Sequence, residues 1–198
     1  MKWINETDAF AVFQKADAFL YASEMCFQKG KSMLHFSEGQ TLENPQYFPM
    51  YSAAFTNQAL ALELFLKCIH VMERKKFPKS HDLLALFRLL NEDTKQDLRQ
   101  FYTFMSAADP WTRHAVRETN NPSLMHLDYV LGRCSEAFEH WRYYLKYDIG
   151  GNNMFAFLKQ VMAATETLIC SKQPTWARIS YTNIPAPQIG ITNFTIDF

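Results

Sequence analysis

Two residues that could act together on a phosphodiester, Arg133 and His140, stand seven positions apart in the sequence. Seven residues fall about 20° short of two helical turns, so on one helix both side chains would share a stripe, roughly 10 Å apart along the axis. Arginine keeps its charge and presents a fork of donors to phosphate oxygens. Histidine, with an ordinary pKa of about 6.5, transfers protons at neutral pH. On one helix the pair would offer a phosphate clamp and a proton-transfer group to the same RNA backbone. The alternative is structural: His140 packs between helices and Arg133 pairs with Glu136.

A second pair of polar residues, Glu63 and Lys67, lies one turn apart in an otherwise apolar segment. Buried charges cost several kcal/mol unless they are paired, so these two must face each other, another charge or a cleft. In one interpretation they support Arg133 and His140 together with Arg142. In the other they form an ordinary ion pair at a helix edge.

Lys75, Lys76 and Lys79 form the densest basic run of the chain and could bind an RNA backbone, although such a turn is usually just solvated. Ser80 is predicted to cap the next helix. His81, beside Asp82, is expected to serve capping and turn geometry.

Composition narrows the function classes. Lys plus Arg and Asp plus Glu are both 20 among 198 residues, so no overall charge attracts nucleic acid and any contact must be local. The four cysteines lack metal-ligand spacing, which predicts free thiols in a reducing cytoplasm, with no metal and no cofactor. The N-terminus lacks the apolar core of a signal peptide, and the longest apolar stretch is too short to span a bilayer. We expect a cytoplasmic protein without membrane contact.

The hydrophobic periodicity predicts an all-α fold of five to six helices. Helices are expected at about 7–29, 50–74, 93–105, 123–147 and 152–171, with one more after Ser80 that carries the leucines from Leu83 to Leu90. Loops are expected at 31–48 and 106–122. From residue 173 onward the chain is almost uncharged and carries strand-like alternation. We therefore divide the chain into a helical bundle, 1–172, and an extended C-terminal arm, 173–198, that packs on its own bundle or on a second subunit.

Three segments carry a resemblance to a known family. They are residues 57–67 (NQALALELFLK), residues 77–84 (FPKSHDLL) and residues 137–143 (AFEHWRY). The first resembles the central helix of HEPN domains (higher eukaryotes and prokaryotes nucleotide-binding), the second their turn and third helix, and the last a late-helix signature of some members. Together the resemblance covers roughly residues 10 to 170.

The resemblance implies an antiparallel HEPN-like helical bundle that is usually a homodimer. Many members are metal-independent RNA endonucleases with an arginine and a histidine a few residues apart, and Arg133 and His140 fit the upper limit of that spacing. The resemblance thus implies a ribonuclease of toxin or defence type. Other members are non-catalytic modules that bind a nucleotide, RNA or a partner protein, often beside a nucleotidyltransferase-like antitoxin. Cys134, the neutral net charge and the Trp141-Arg142-Tyr143 signature favour this alternative.

Overall fold

The protein is a bundle of α-helices. The computed structural model describes residues 6–33, 48–135 and 157–176, and in these ranges there is no β-strand. The seven α-helices of the described ranges are α1 (Glu6–Met33), α2 (Phe48–Arg74), α3 (Leu83–Arg88), α4 (Glu92–Ala108), α5 (Pro110–Thr119), α6 (Leu127–Arg133) and α7 (Leu158–Lys172). The predicted all-α class is confirmed. No helix in the described ranges is long and apolar enough to cross a membrane.

The core forms around α2, as its nearly continuous apolar sequence predicts. Helix α1 packs along α2, with the rings of Phe13 and Phe65 5.8 Å apart. Helix α7 packs against α2 and α4 and closes the bundle. On the α3 side, the buried His70 ring lies 2.9 Å from the Leu86 carbonyl, and burial lowers the pKa of His70. Helix α2 is thus in contact with α1, α3 and α7.

The predicted loop at 106–122 is wrong, because most of it is helix α5. The Asp109 carboxylate accepts a hydrogen bond from the Thr112 N–H at 2.7 Å, and Pro110 occupies the first turn. Asn120 then ends the helix in the left-handed conformation, at φ 47°. An acidic cap residue followed by proline favours the start of a helix, and asparagine tolerates the left-handed conformation at its end. These capping residues determine the structure of the segment more than its polar composition does.

The predicted single helix at 123–147 is also wrong over the part that the structure describes. A 3₁₀ turn, Pro122–Met125, comes first, and an extended His126 (φ −106°, ψ 118°) separates it from α6. The hydroxyl of Tyr102 donates to the Leu124 carbonyl at 2.6 Å and holds this turn against α4. Helix α6 ends at Arg133, and the non-helical Cys134 comes directly after it. Residues 136–156 lie outside the described residues.

The start of α3 also differs from the prediction. The cap is Asp82, whose carboxylate accepts from the Ala85 N–H at 2.9 Å. Ser80, the predicted cap, instead accepts from the Asp82 N–H at 3.2 Å. The helix therefore begins two residues later than Ser80 would allow, and the linker from α2 is correspondingly longer.

The first residues of the predicted C-terminal arm lie against the bundle. The Trp176 ring is 5.3 Å from Phe10 and 5.7 Å from Phe13, and its carbonyl accepts from the Cys170 thiol at 3.3 Å. This part of the arm covers α1 of its own chain. The rest, 177–198, lies outside the described residues.

Candidate functional site

The structure places a compact polar cluster against the otherwise apolar α2. Lys67 Nζ lies 2.8 Å from Glu63 Oε1, and the two side chains are only 4% and 2% exposed. Since they are one turn apart on the same helix, the backbone presents them to each other. The lysine also lies 5.0 Å from the centre of the Phe77 ring, within the range of a cation–π contact. Both charges are thus compensated inside the protein.

The third member of the cluster is His81, from the linker between α2 and α3. Its Nδ1 lies 3.0 Å from Glu63 Oε1 and 3.1 Å from Oε2, while 57% of the ring side chain is exposed. A carboxylate only accepts hydrogen bonds, so Nδ1 carries the proton and donates it. We call these residues the Glu63–Lys67–His81 cluster. A buried carboxylate therefore orients an imidazole at the surface.

The linker that carries His81, residues 75–82, is basic. Lys76 and Lys79 are exposed, and Lys75 adopts a left-handed backbone (φ 52°) that turns the chain away from α2. The Phe77 ring is 39% exposed and covers the buried ammonium of Lys67. The three predicted RNA-binding lysines therefore lie on the same short segment as His81.

Arg133 is the last residue of α6 and is exposed. Two contacts hold this end of α6 against the start of α3. The Leu83 N–H donates to the Ser135 carbonyl at 3.1 Å, and the Gly132 Cα faces Leu84, where an added Cβ would meet the leucine at 3.5 Å. Arg133 comes two residues before Ser135, and His81 comes two residues before Leu83. The packing thus brings the arginine's end of α6 to the histidine's linker.

The other two predicted site residues, His140 and Arg142, lie outside the described residues. Because α6 ends at Arg133 and residues 134–135 form a turn, no continuous helix runs from Arg133 to position 140. The shared stripe proposed from the seven-residue spacing is therefore wrong.

Cys134 lies beside Arg133 but is buried, and burial raises the pKa of its thiol to about 12. A nucleophilic cysteine needs its thiolate, so Cys134 fills the core instead of acting on a substrate. In the described ranges no three His, Cys, Asp or Glu residues converge as metal ligands. One internal gap there is lined by apolar side chains such as Leu66, Phe87 and Leu131, and is too narrow for water.

Sequence reasoning missed His81, to which it gave only a capping role. One signal could have found it: a Glu–Lys pair on a buried helix needs further hydrogen-bond partners, and the histidine lies in the next linker. No family model, curated protein or solved structure matches this chain.

Proposed function

We propose that this protein is a HEPN-like RNA-binding protein of the cytoplasm that cleaves its bound RNA without a metal ion. The observation that carries the proposal is the hydrogen bond from Leu83 to Ser135, 3.1 Å long, which joins the chain just after Arg133 to the start of α3, directly after the basic linker 75–82. Lys76, Lys79, His81 and Arg133 are exposed and lie on the two segments that this hydrogen bond joins. This combination is suited to a phosphate backbone.

Binding would begin with electrostatic contact. Lys76 and Lys79 are exposed and attract phosphates, and each phosphate neutralised releases counterions from the RNA. The partly exposed Phe77 ring offers a stacking surface for an unpaired base. Because the chain has no net charge, this local surface would account for most of the salt dependence of binding.

Cleavage would use Arg133 to bind the scissile phosphate and His140 to transfer a proton. The guanidinium stabilises charge on the phosphate oxygens while the 2′-hydroxyl loses its proton and its oxygen bonds to phosphorus. The bond from phosphorus to the 5′-oxygen breaks and that oxygen takes up a proton, so the products are a 2′,3′-cyclic phosphate and a 5′-hydroxyl. The role of His140 rests on the family resemblance. The proposal retains Glu63, Lys67 and Arg142 as supporting residues and a homodimer as the assembly.

The test is cleavage of RNA by the purified protein in EDTA, with analysis of the product ends. We expect cyclic phosphate ends, and a loss of about 100-fold or more in Arg133→Ala and His140→Ala. Arg117→Ala, at an exposed arginine on α5, is the matched control and should cleave as the wild type does. Full activity of His140→Ala would refute the assigned role of that residue.

A second candidate function is a non-catalytic HEPN-like module that binds a nucleotide, RNA or a partner protein such as a nucleotidyltransferase-like antitoxin. The observation that favours it is the end of α6 at Arg133. The catalytic hypothesis from the sequence needed Arg133 and His140 on one continuous helix. Binding without cleavage separates the two candidates. In a thermal-shift screen, a nucleotide should raise the melting temperature of the wild type more than that of Arg133→Ala.

A further inference from the structure

We propose that Phe77 is a base-stacking residue that makes this surface select single-stranded RNA over duplex RNA. The inference rests on the RNA binding proposed above and adds to it the structural class of the substrate. It depends on the Phe77 ring, the buried ammonium of Lys67 and the two exposed lysines near the ring in sequence, Lys76 and Lys79.

One face of the Phe77 ring is covered from inside the protein. Lys67 Nζ lies 5.0 Å from the ring centre, and the lysine side chain is only 4% exposed. The ammonium is in turn held by Glu63 Oε1 at 2.8 Å. Because the cation occupies one face, the 39% of Phe77 that is exposed belongs to the other face of the ring and its edge. The cation–π contact thus fixes the ring with an aromatic surface toward solvent.

The buried ammonium also limits what can lie on the outer face. A second cation there would be repelled by Lys67 and by the exposed lysines of the linker, so a basic protein segment is a poor occupant. A nucleobase is flat and uncharged and meets no such repulsion. It also brings anionic phosphates to the lysines. Nucleic acid is therefore the occupant that matches both the ring and the charges.

The lysines lie where they can contact the backbone of a stacked nucleotide. Lys76 comes directly before Phe77, Lys79 follows two residues after it, and residues 76–80 have no regular secondary structure. Three residue steps of at most about 3.6 Å place the two lysine α-carbons no more than about 11 Å apart. Pro78 restricts Phe77 to an extended backbone. The two ammonium groups can thus reach phosphates next to a base that lies on the ring.

The ring and the lysines differ in which form of RNA they can use. Ammonium groups bind the phosphates of a single strand and of a duplex alike. The bases inside a duplex are stacked on each other, so an aromatic ring gains contact only with an unpaired base. Phe77 should therefore add affinity for single-stranded RNA alone.

The test is RNA binding by the full chain, measured by fluorescence anisotropy with labelled 2′-O-methyl RNA, which lacks the attacking hydroxyl and stays intact. A single strand of about a dozen nucleotides is compared with the duplex of the same sequence. We expect the wild type to prefer the single strand. Phe77→Leu should lower single-strand affinity by about fivefold or more and leave duplex affinity nearly unchanged. Phe77→Trp keeps an aromatic ring beside Lys67 and should bind the single strand at least as tightly as the wild type.

Two control variants separate stacking from charge. Phe104→Leu, at a phenylalanine on α4 that is 70% exposed, should bind both forms as the wild type does. Lys76→Ala should weaken binding of both forms and lower the slope of log affinity against log salt by about one, whereas Phe77→Leu should leave that slope unchanged.

A change in the RNA tests the same contact without relying on how a variant folds. An abasic strand with the same number of phosphates should bind the wild type more weakly than the intact strand does. Phe77→Leu should not weaken binding of the abasic strand further. Equal losses for single strand and duplex in Phe77→Leu, or equal binding of intact and abasic strands by the wild type, would show that the ring does not stack on a base.

The outcomes separate this inference from the proposed cleavage. If the wild type cleaves unmodified RNA and Phe77→Leu binds the single strand as tightly as the wild type, the role of Phe77 is wrong and the proposed function stands. If single-strand binding depends on Phe77 but unmodified RNA is not cleaved in EDTA, the cleavage fails and the stacking residue stands. If the wild type binds neither form of RNA, both fail.

Discussion

Lys67 Nζ lies 2.8 Å from Glu63 Oε1 at a position where both side chains are almost completely removed from solvent. Such a pair stabilises a fold less than its short distance suggests, because both ions lose their hydration. Removing one partner is much worse, since the other charge remains buried. The pair therefore makes the fold sensitive to single substitutions at these two positions.

Replacing Lys67 by methionine should lower the free energy of unfolding by about 3 kcal/mol, because Glu63 would lose its cation while remaining buried. Adding Glu63→Gln removes the remaining charge and should recover a large part of the loss. Urea denaturation of the two single variants and the double variant measures the coupling.

Lys95→Met is the control, since Lys95 pairs at 2.7 Å with the largely exposed Glu92. It should leave stability nearly unchanged, because solvent screens exposed pairs. Equal losses for Lys67→Met and Lys95→Met would contradict the importance of burial.

The buried pair also shows what could be predicted from the sequence. The apolar run from Leu60 to Val71 identifies α2 as the central helix, and the spacing of Glu63 and Lys67 identifies them as neighbours. His81 could not be assigned to them, because its contact spans 18 residues and depends on the path of the linker. Local periodicity contains no information about that path.

A surface ion pair joins α4 to α6, the helix that ends at Arg133. Arg99 Nε and Nη2 donate to the two oxygens of Asp128 at 2.8 and 3.0 Å. This bidentate hydrogen bonding, with the charge of Arg99, lowers the pKa of Asp128 below its ordinary value. The stabilisation is thus fully present at neutral pH and is lost as the pH falls through the lowered pKa.

We expect Asp128→Asn to be less stable than the wild type at neutral pH, with a difference that disappears in acid below the ordinary range of an aspartate. The carboxylate is about half exposed, so the effect is modest. Urea midpoints of both proteins across this pH range give the measurement. In an Arg99→Gln background Asp128→Asn should have no further pH-dependent effect, and a persisting effect would assign the pH dependence to another partner.

Short helices are the least predictable part of the fold. The hydrophobic periodicity predicts one helix that continues past Arg133. The end of α6 coincides with a hydrogen bond from Leu83 to the Ser135 carbonyl, and the sequence does not reveal such a long-range contact. Helix α5 is a different case. Its start is marked by Asp109 and Pro110 and its end by Asn120, but its polar composition suggests a loop. Capping residues are therefore a better guide than hydropathy when a helix has little apolar surface to bury.

The α5 cap can be tested directly. The Asp109 carboxylate accepts from both the N–H and the hydroxyl of Thr112, each at 2.7 Å, so Asp109→Ala leaves two donors without this acceptor. The expected loss is about 1 kcal/mol or somewhat more, and Asp109→Ser should recover most of it. Asn91→Ala at the start of α4 is the matched control, because the Asn91 side chain makes no capping hydrogen bond and should contribute less. Urea denaturation followed by circular dichroism compares the variants, and equal losses at the two caps would contradict the role given to the Asp109 carboxylate.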